Sequence, residues 1–306
     1  MPADIKNDVI LLTCASGMQC SQLIPLLYGN WKHIRLAVNS ASSEEFLKVK
    51  YPEADVVRGD MADAHDARRF LSGVIVVIYI GPSKSNESQI GFTMINAAQH
   101  EFKYGQLKHF IYSSVLHPHL QKLRNHRNKQ HVEEFLIDSG LPYTIVQPSH
   151  ILDSFPIALL LNAERSIFPV MFDIHTKFSF TILKDLAEAL GKIILEREKH
   201  YFAQYMICST GPTAYADIIS ILQDEIGRPI QIKPLDFLES GEFRKEAVSD
   251  TDSLPHSIRD AIQRLSLVYN IYGLKGNSNV LEWLLGRKPT TVREYIHRRI
   301  LYSKKS

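Results

Sequence analysis

Val9-Ile10-Leu11-Leu12-Thr13-Cys14-Ala15-Ser16-Gly17-Met18-Gln19-Cys20 is an apolar run of strand composition that breaks into a short turn, and a helix carrying Leu23, Ile24, Leu26 and Leu27 follows. Strand, tight turn and helix in that order open a parallel α/β unit. Such a turn offers backbone N–H groups and a helix N-terminus to an anionic phosphate. The alternation then repeats. Further strands read at 34–38, 55–60, 74–80, 109–114 and 143–148, with helices at 42–49, 63–71, 91–100 and around Lys129. The near-continuous β-branched run at 74–80 has the composition of a strand buried on both faces. The pattern predicts a doubly wound, Rossmann-type parallel sheet with the first strand central. Right-handed crossovers place the ligand crevice at the carboxyl ends of the strands, over 13–17, 39–40, 60, 81–83, 113–114 and 148.

After His150 the pattern changes. A strand at 178–181 feeds a helix at 183–197, and 205–210 returns to the sheet. A helix at 213–226, a strand at 229–235 and helices at 243–264 and 279–296 complete the chain. The expected organisation is an α/β core over 1–150 and a smaller, mostly helical lobe over 151–306. That lobe is interleaved with the core and covers the crevice.

Bulk properties narrow the partners. The 306 residues carry a formal net charge of +2 and no long basic run, so nucleic acid is not an expected partner. No apolar run approaches the roughly 20 residues that span a bilayer, and the polar start 1–8 lacks the apolar stretch of a secretion signal. Cys14, Cys20 and Cys208 do not make a disulfide framework and read as reduced thiols. A cytoplasmic monomer or homodimer acting on a small molecule is the expectation.

The turn departs from the glycine-rich pattern. Overlaying G-x-x-G-x-x-G puts its glycines at 14, 17 and 20, and only Gly17 is one. The middle glycine admits a pyrophosphate to the backbone, and the third allows close helix–strand packing, where a small buried Cys20 fits. Cys14 adds a side chain at a turn position that prefers glycine.

Several stretches together resemble the NmrA-like family of atypical short-chain dehydrogenases, in the form common in filamentous fungi. They are the turn at 13–20, Gly81-Pro82-Ser83, His109-Phe110-Ile111-Tyr112-Ser113-Ser114-Val115-Leu116-His117-Pro118, Lys129-Gln130-His131-Val132-Glu133-Glu134-Phe135-Leu136, the run at 139–148 and Trp283-Leu284-Leu285-Gly286-Arg287. The resemblance implies a Rossmann core that often binds NADP(H). Some members are reductases, some are redox-sensing regulators without catalysis, and a few shape natural-product scaffolds in secondary metabolism.

The resemblance implies cofactor contacts at Thr13, Ala15, Ser16, Gly17, Met18 and Gln19 in the turn, at Asn39, Ser40, Asp60 and Met61, and at Gly81, Pro82, Ser83, Lys129 and Pro148. Asp60 matches the position that holds the adenine amino group; its bland alternative is a helix N-cap. Neither an arginine fork for a 2′-phosphate nor a carboxylate for the ribose follows the second strand, where Asn39-Ser40-Ala41-Ser42-Ser43 stands. NADP(H) leads, NAD(H) is the next choice, and a loop altered enough would hold no cofactor. The usual tyrosine–lysine pair is absent, since four residues after Tyr112 comes Leu116. Lys129 is the alternative proton donor, with Ser113 and His126 beside it; its bland role is a surface pair with Glu133 at i+4. His117 and His119 lie just past the fifth strand, and no metal site is read. The leading expectation is an oxidoreductase acting on a small, largely apolar metabolite. Alternatives are an isomerase or cyclase without net redox chemistry, and a dinucleotide sensor docking a protein through 243–264.

Overall fold

The computed structural model describes residues 3–82, 84, 86–161, 167–170, 173–234 and 256–303. Ser83 and the segment 243–255 lie outside the described residues. The chain forms two compact units.

The first unit comprises Met1–Leu120, Asn125–Pro148 and Leu183–Ile207. Its elements are β1 (Val9–Leu12), α1 (Cys20–Tyr28), β2 (His33–Val38), α2 (Ala41–Lys50), β3 (Asp55–Arg58), α3 (Ala64–Leu71), β4 (Val76–Ile80), α4 (Glu87–Tyr104), β5 (His109–Ser113), α5 (Arg124–Asp138) and β6 (Tyr143–Pro148). Helix Leu183–Glu196 and strand Ala203–Ile207 complete it. The seven strands lie in the order Ala203–Ile207, β6, β5, β4, β1, β2, β3, and every neighbouring pair is parallel. The expected parallel sheet is present, with one correction: β4, not β1, is central. All five residues of β4 are buried. A strand covered on both faces is apolar throughout, which its β-branched composition satisfies.

Two local devices fix the strand ends that matter. Thr13 is fully buried, and its hydroxyl donates to the Ile80 carbonyl at 2.9 Å while accepting from the Ile80 amide at 2.8 Å. This ties the end of β1 to the end of β4. Gly91 brings α4 against α5: a Cβ there would stand 2.6 Å from Val132 Cγ2. The helix begins at Glu87, four residues before its sequence-predicted start, because no side chain caps it to announce the boundary.

The second unit, Gln121–Arg124, Ser149–Ile182 and Cys208–Ser306, holds short strand pairs and helices. His150–Ile151 pairs in parallel with Phe180–Thr181, Lys177–Phe178 pairs antiparallel with Thr213–Ala214, and Ile167–Val170 pairs in parallel with Gln231–Pro234. Helices run over Tyr215–Ile226, His256–Tyr272, Asn279–Leu285 and Val292–Ser303. The helix expected over 279–296 is two helices, because Gly286 ends the first in a left-handed conformation with φ 68°. Among the described residues, no helix is long and apolar enough to cross a membrane.

Candidate active site

Within the first unit, the carboxyl ends of β1 to β4 enclose a cavity of about 130 Å³ lined by Cys14, Ser16, Gly17, Asn39, Asp60, Pro82 and Lys84. Met61 lines it as well. The structure therefore brings together residues from the four strand ends that the sequence singles out. The volume is below the roughly 300–1,000 Å³ of pockets that enclose a whole small ligand.

The turn after β1 is tight. Cys14 has φ 47°, a left-handed conformation that costs a non-glycine residue about 1 kcal/mol. The glycine missing at position 14 is thus missing from a position that uses glycine geometry. The Gly17 amide donates to the Cys14 carbonyl at 2.8 Å, and a Cβ on Gly17 would lie 3.0 Å from that oxygen. Ala15 is buried, and its amide donates to the Ala37 carbonyl, pinning the turn to β2. Cys20 is fully buried with Sγ 3.7 Å from the Thr13 carbonyl, the close helix–strand packing expected of the third position. Helix α1 starts after Gln19 with no side-chain cap; in its first turn the Ser21 amide donates to the Met18 carbonyl at 3.1 Å. Ser16, Gly17 and Met18 are exposed around that start. Burial pushes the Cys14 thiol up to about 11, partly offset by the ammonium groups of Lys129 and Lys84, so it is a neutral thiol at neutral pH.

At the β2 and β3 side, Ser40 is the N-cap of α2 and accepts from the Ser43 amide at 3.2 Å. Asp63, not Asp60, caps α3, accepting from the His65 and Asp66 amides at 2.9 Å each. Asp60 Oδ1 accepts from the Ala62 amide at 3.0 Å, and Asp60 itself is exposed at the cavity. Gly59, which the sequence reading passes over, also lines it; a Cβ there would collide with the Asp66 carboxylate at 2.5 Å.

Lys129 does not pair with Glu133. Its ammonium donates to the carboxylate of Glu87 on α4, which is almost wholly buried. Glu133 instead accepts from Gln147 Nε2 at 2.9 and 3.1 Å. Gly81 makes room for the pair: a Cβ there would lie 3.1 Å from Glu87 Oε1. Ser113 is buried and donates to Gln19 Oε1 at 2.7 Å, joining the end of β5 to the start of α1. His126 is buried, and its Nδ1 lies 2.9 Å from the His117 carbonyl, so Nδ1 carries the proton. Burial holds that ring down to about 4, which keeps it neutral. His117 and His119 line a second cavity of about 480 Å³ beside Glu133, Gln147 and Gln204. Pro148 is buried and accepts from the Leu116 amide at 2.9 Å. None of Lys129, Ser113, His126 and Pro148 lines the first cavity.

A phosphate-type turn over the carboxyl ends of a seven-stranded parallel sheet defines a Rossmann-type α/β protein. The chain belongs to the NmrA-like family, whose sequence model matches residues 6–296. A search of curated protein sequences returns no match. Among solved structures, Escherichia coli NADPH-dependent quinone oxidoreductase QOR2 complexed with NADPH is 20% identical, with a TM-score of 0.76 over 95% of this chain and 100% of that one. Citrobacter sp. triphenylmethane reductase complexed with NADP(H) is 17% identical, with a TM-score of 0.77 over 95% and 99%. NmrA, a negative transcriptional regulator solved with NAD, is 16% identical, with a TM-score of 0.74 over 98% and 97%. At these identities the likeness concerns the fold.

Proposed function

We propose that this chain is a nicotinamide-dinucleotide-binding oxidoreductase that acts on a small, largely apolar metabolite. The observation that carries the reading is the cavity at the ends of β1 to β4, built on a left-handed turn and an uncapped helix start. The residues fit the group. Amides of the first turn of α1 would meet the pyrophosphate, Asp60 would take the adenine amino group, and Asn39 with the hydroxyls of 40–43 would surround the ribose end. No carboxylate stands at 39–43 to repel a 2′-phosphate, which supports NADP(H) ahead of NAD(H). A nicotinamide held there supplies or accepts a hydride. Lys129 Nζ, held by the Glu87 carboxylate, would donate a hydrogen bond to a carbonyl or ribose oxygen. Gln19 and Ser113 hold the start of α1 in register with β5 beneath it.

A second reading has its own support. Lys129 and Ser113 are both engaged with protein partners, Glu87 and Gln19, as groups that position rather than transfer protons would be. On that reading the chain binds dinucleotide as a sensor without turnover. Titration of the purified protein with NADPH and NADH, followed by intrinsic fluorescence quenching, tests the shared premise. Saturable binding supports both readings, and NADPH consumption with quinone or other carbonyl acceptors selects the enzyme. Failure of both dinucleotides to bind would overturn the proposal.

A further inference from the structure

We propose that Lys84, in the loop after β4, is the cation that holds the cofactor's pyrophosphate. The inference rests on the dinucleotide reading above and assigns to this chain a contact that the glycine-rich pattern does not contain. Charge accounting around the cavity leads to it. Lys129 is committed to Glu87, Arg69 to Asp66 and the Arg58 carbonyl, Arg58 to Glu44, and Arg35 to Asp55. Lys84 lines the same cavity, is exposed, and among the described residues makes no ion pair or side-chain hydrogen bond. It shares that lining with Cys14, Ser16 and Gly17 of the turn. A dianionic pyrophosphate over that turn meets amide dipoles from α1, and an exposed lysine adds a compact point charge without demanding fixed geometry.

Sheet order decides which phosphate it reads. The strands run β4, β1, β2, β3, so the loop after β4 and the Asn39–Ser40 segment after β2 lie on opposite sides of the β1 turn. A 2′-phosphate belongs at the β2 side, with the adenine ribose. Lys84 therefore serves the part common to NADH and NADPH and does not discriminate between them.

The test is titration of the wild type, Lys84→Gln and Lys84→Arg with NADPH and with NADH at two salt concentrations. Lys84→Gln is expected to weaken both ligands by the same factor, about tenfold, and to flatten the salt dependence. Lys84→Arg should retain most of the affinity. Thermal midpoints should not move, since the side chain is exposed and unpaired. If the wild type binds and Lys84→Gln binds equally well, the assignment to Lys84 falls while the dinucleotide reading stands. Weakened NADPH with unchanged NADH would overturn the pyrophosphate assignment in favour of the 2′-phosphate. A wild type that binds neither overturns the functional reading and this inference with it.

Discussion

Lys129 on α5 and Glu87 on α4, 42 positions apart in sequence, form an ion pair, with the carboxylate almost completely buried and the ammonium partly exposed. A buried carboxylate left without its partner is expensive, whereas removing both charges together is much less so. Lys129→Met is therefore expected to cost about 2–3 kcal/mol, the low end for a broken buried pair because water reaches the ammonium. Adding Glu87→Gln should recover more than half of that. Urea unfolding of the two single variants and the double variant measures the coupling. Additive costs would show that the pair contributes nothing beyond its separate side chains.

The approach of α4 to α5 that allows this pair depends on a missing side chain. A Cβ on Gly91 would lie 2.6 Å from Val132 Cγ2 and 2.9 Å from Cγ1. Gly91→Ala gains helix propensity but must push the helices apart, and overpacking of this kind costs about 1–3 kcal/mol. Val132→Ala in the same chain removes the obstructing methyl groups. The double variant should be more stable than Gly91→Ala plus the cost of Val132→Ala would suggest. A Gly91→Ala protein as stable as the wild type would show that the helices yield freely.

How much was legible in sequence follows from which interactions are local. The strand Tyr143–Pro148 has its sequence-predicted limits, because turn residues bound it on one side and a proline ends it on the other. The residues gathered at the strand ends, Gly17, Asn39, Asp60 and Pro82, follow from the α/β alternation alone, since topology puts every carboxyl end on one edge of the sheet. Partner choice was not legible. The i+4 rule offers Glu133 to Lys129, yet Glu133 turns to Gln147 on β6 and Lys129 turns to Glu87, a contact that only the packing of α4 creates. Lys84 was passed over because a lysine between two serines carries no periodic signal. Its significance comes from standing at the cavity without an ion pair among the described residues, while Lys129, Arg69, Arg58 and Arg35 each hold a carboxylate.

Cys14 is the position where sequence and backbone most directly disagree. Its φ of 47° is strained for a residue with a Cβ. Cys14→Gly relieves about 1 kcal/mol of that strain, but it also loosens the unfolded chain by a comparable amount. Stability should move by less than about 0.5 kcal/mol on these opposing effects. The cavity loses a thiol from its wall, and NADPH affinity should rise about tenfold, or 1.4 kcal/mol. Isothermal titration calorimetry on both proteins decides the matter. Unchanged affinity would mean that the turn accommodates the sulfur outside the ligand's path.

His109 predicts how the fold responds to acid. The Thr144 hydroxyl donates its single proton to the His200 carbonyl at 2.6 Å, so at 2.8 Å it must accept from His109 Nε2–H. The remaining ring nitrogen, Nδ1, is then a bare acceptor, buried and without a hydrogen-bond partner among the described residues. Protonating it would bury an unpaired cation. Burial, followed by the charges of Arg197 and His200, holds the ring down to about 3, and burial holds His126 down to about 4. The native state thus refuses protons that the unfolded chain takes up below its ordinary histidine value near 6.5. Stability is fully present above about pH 6.5 and falls as the pH drops towards 4, with each such histidine contributing up to about 1.4 kcal/mol per pH unit. His109→Phe keeps the ring against Tyr201, whose centroid lies 4.8 Å away, and removes the titration. Thr144 still has the His200 carbonyl to bond. The variant's unfolding free energy, measured by urea denaturation from pH 4 to 7, should therefore slope less steeply by up to one proton. Parallel slopes for the two proteins would show that His109 takes up its proton as readily in the fold as in the unfolded chain.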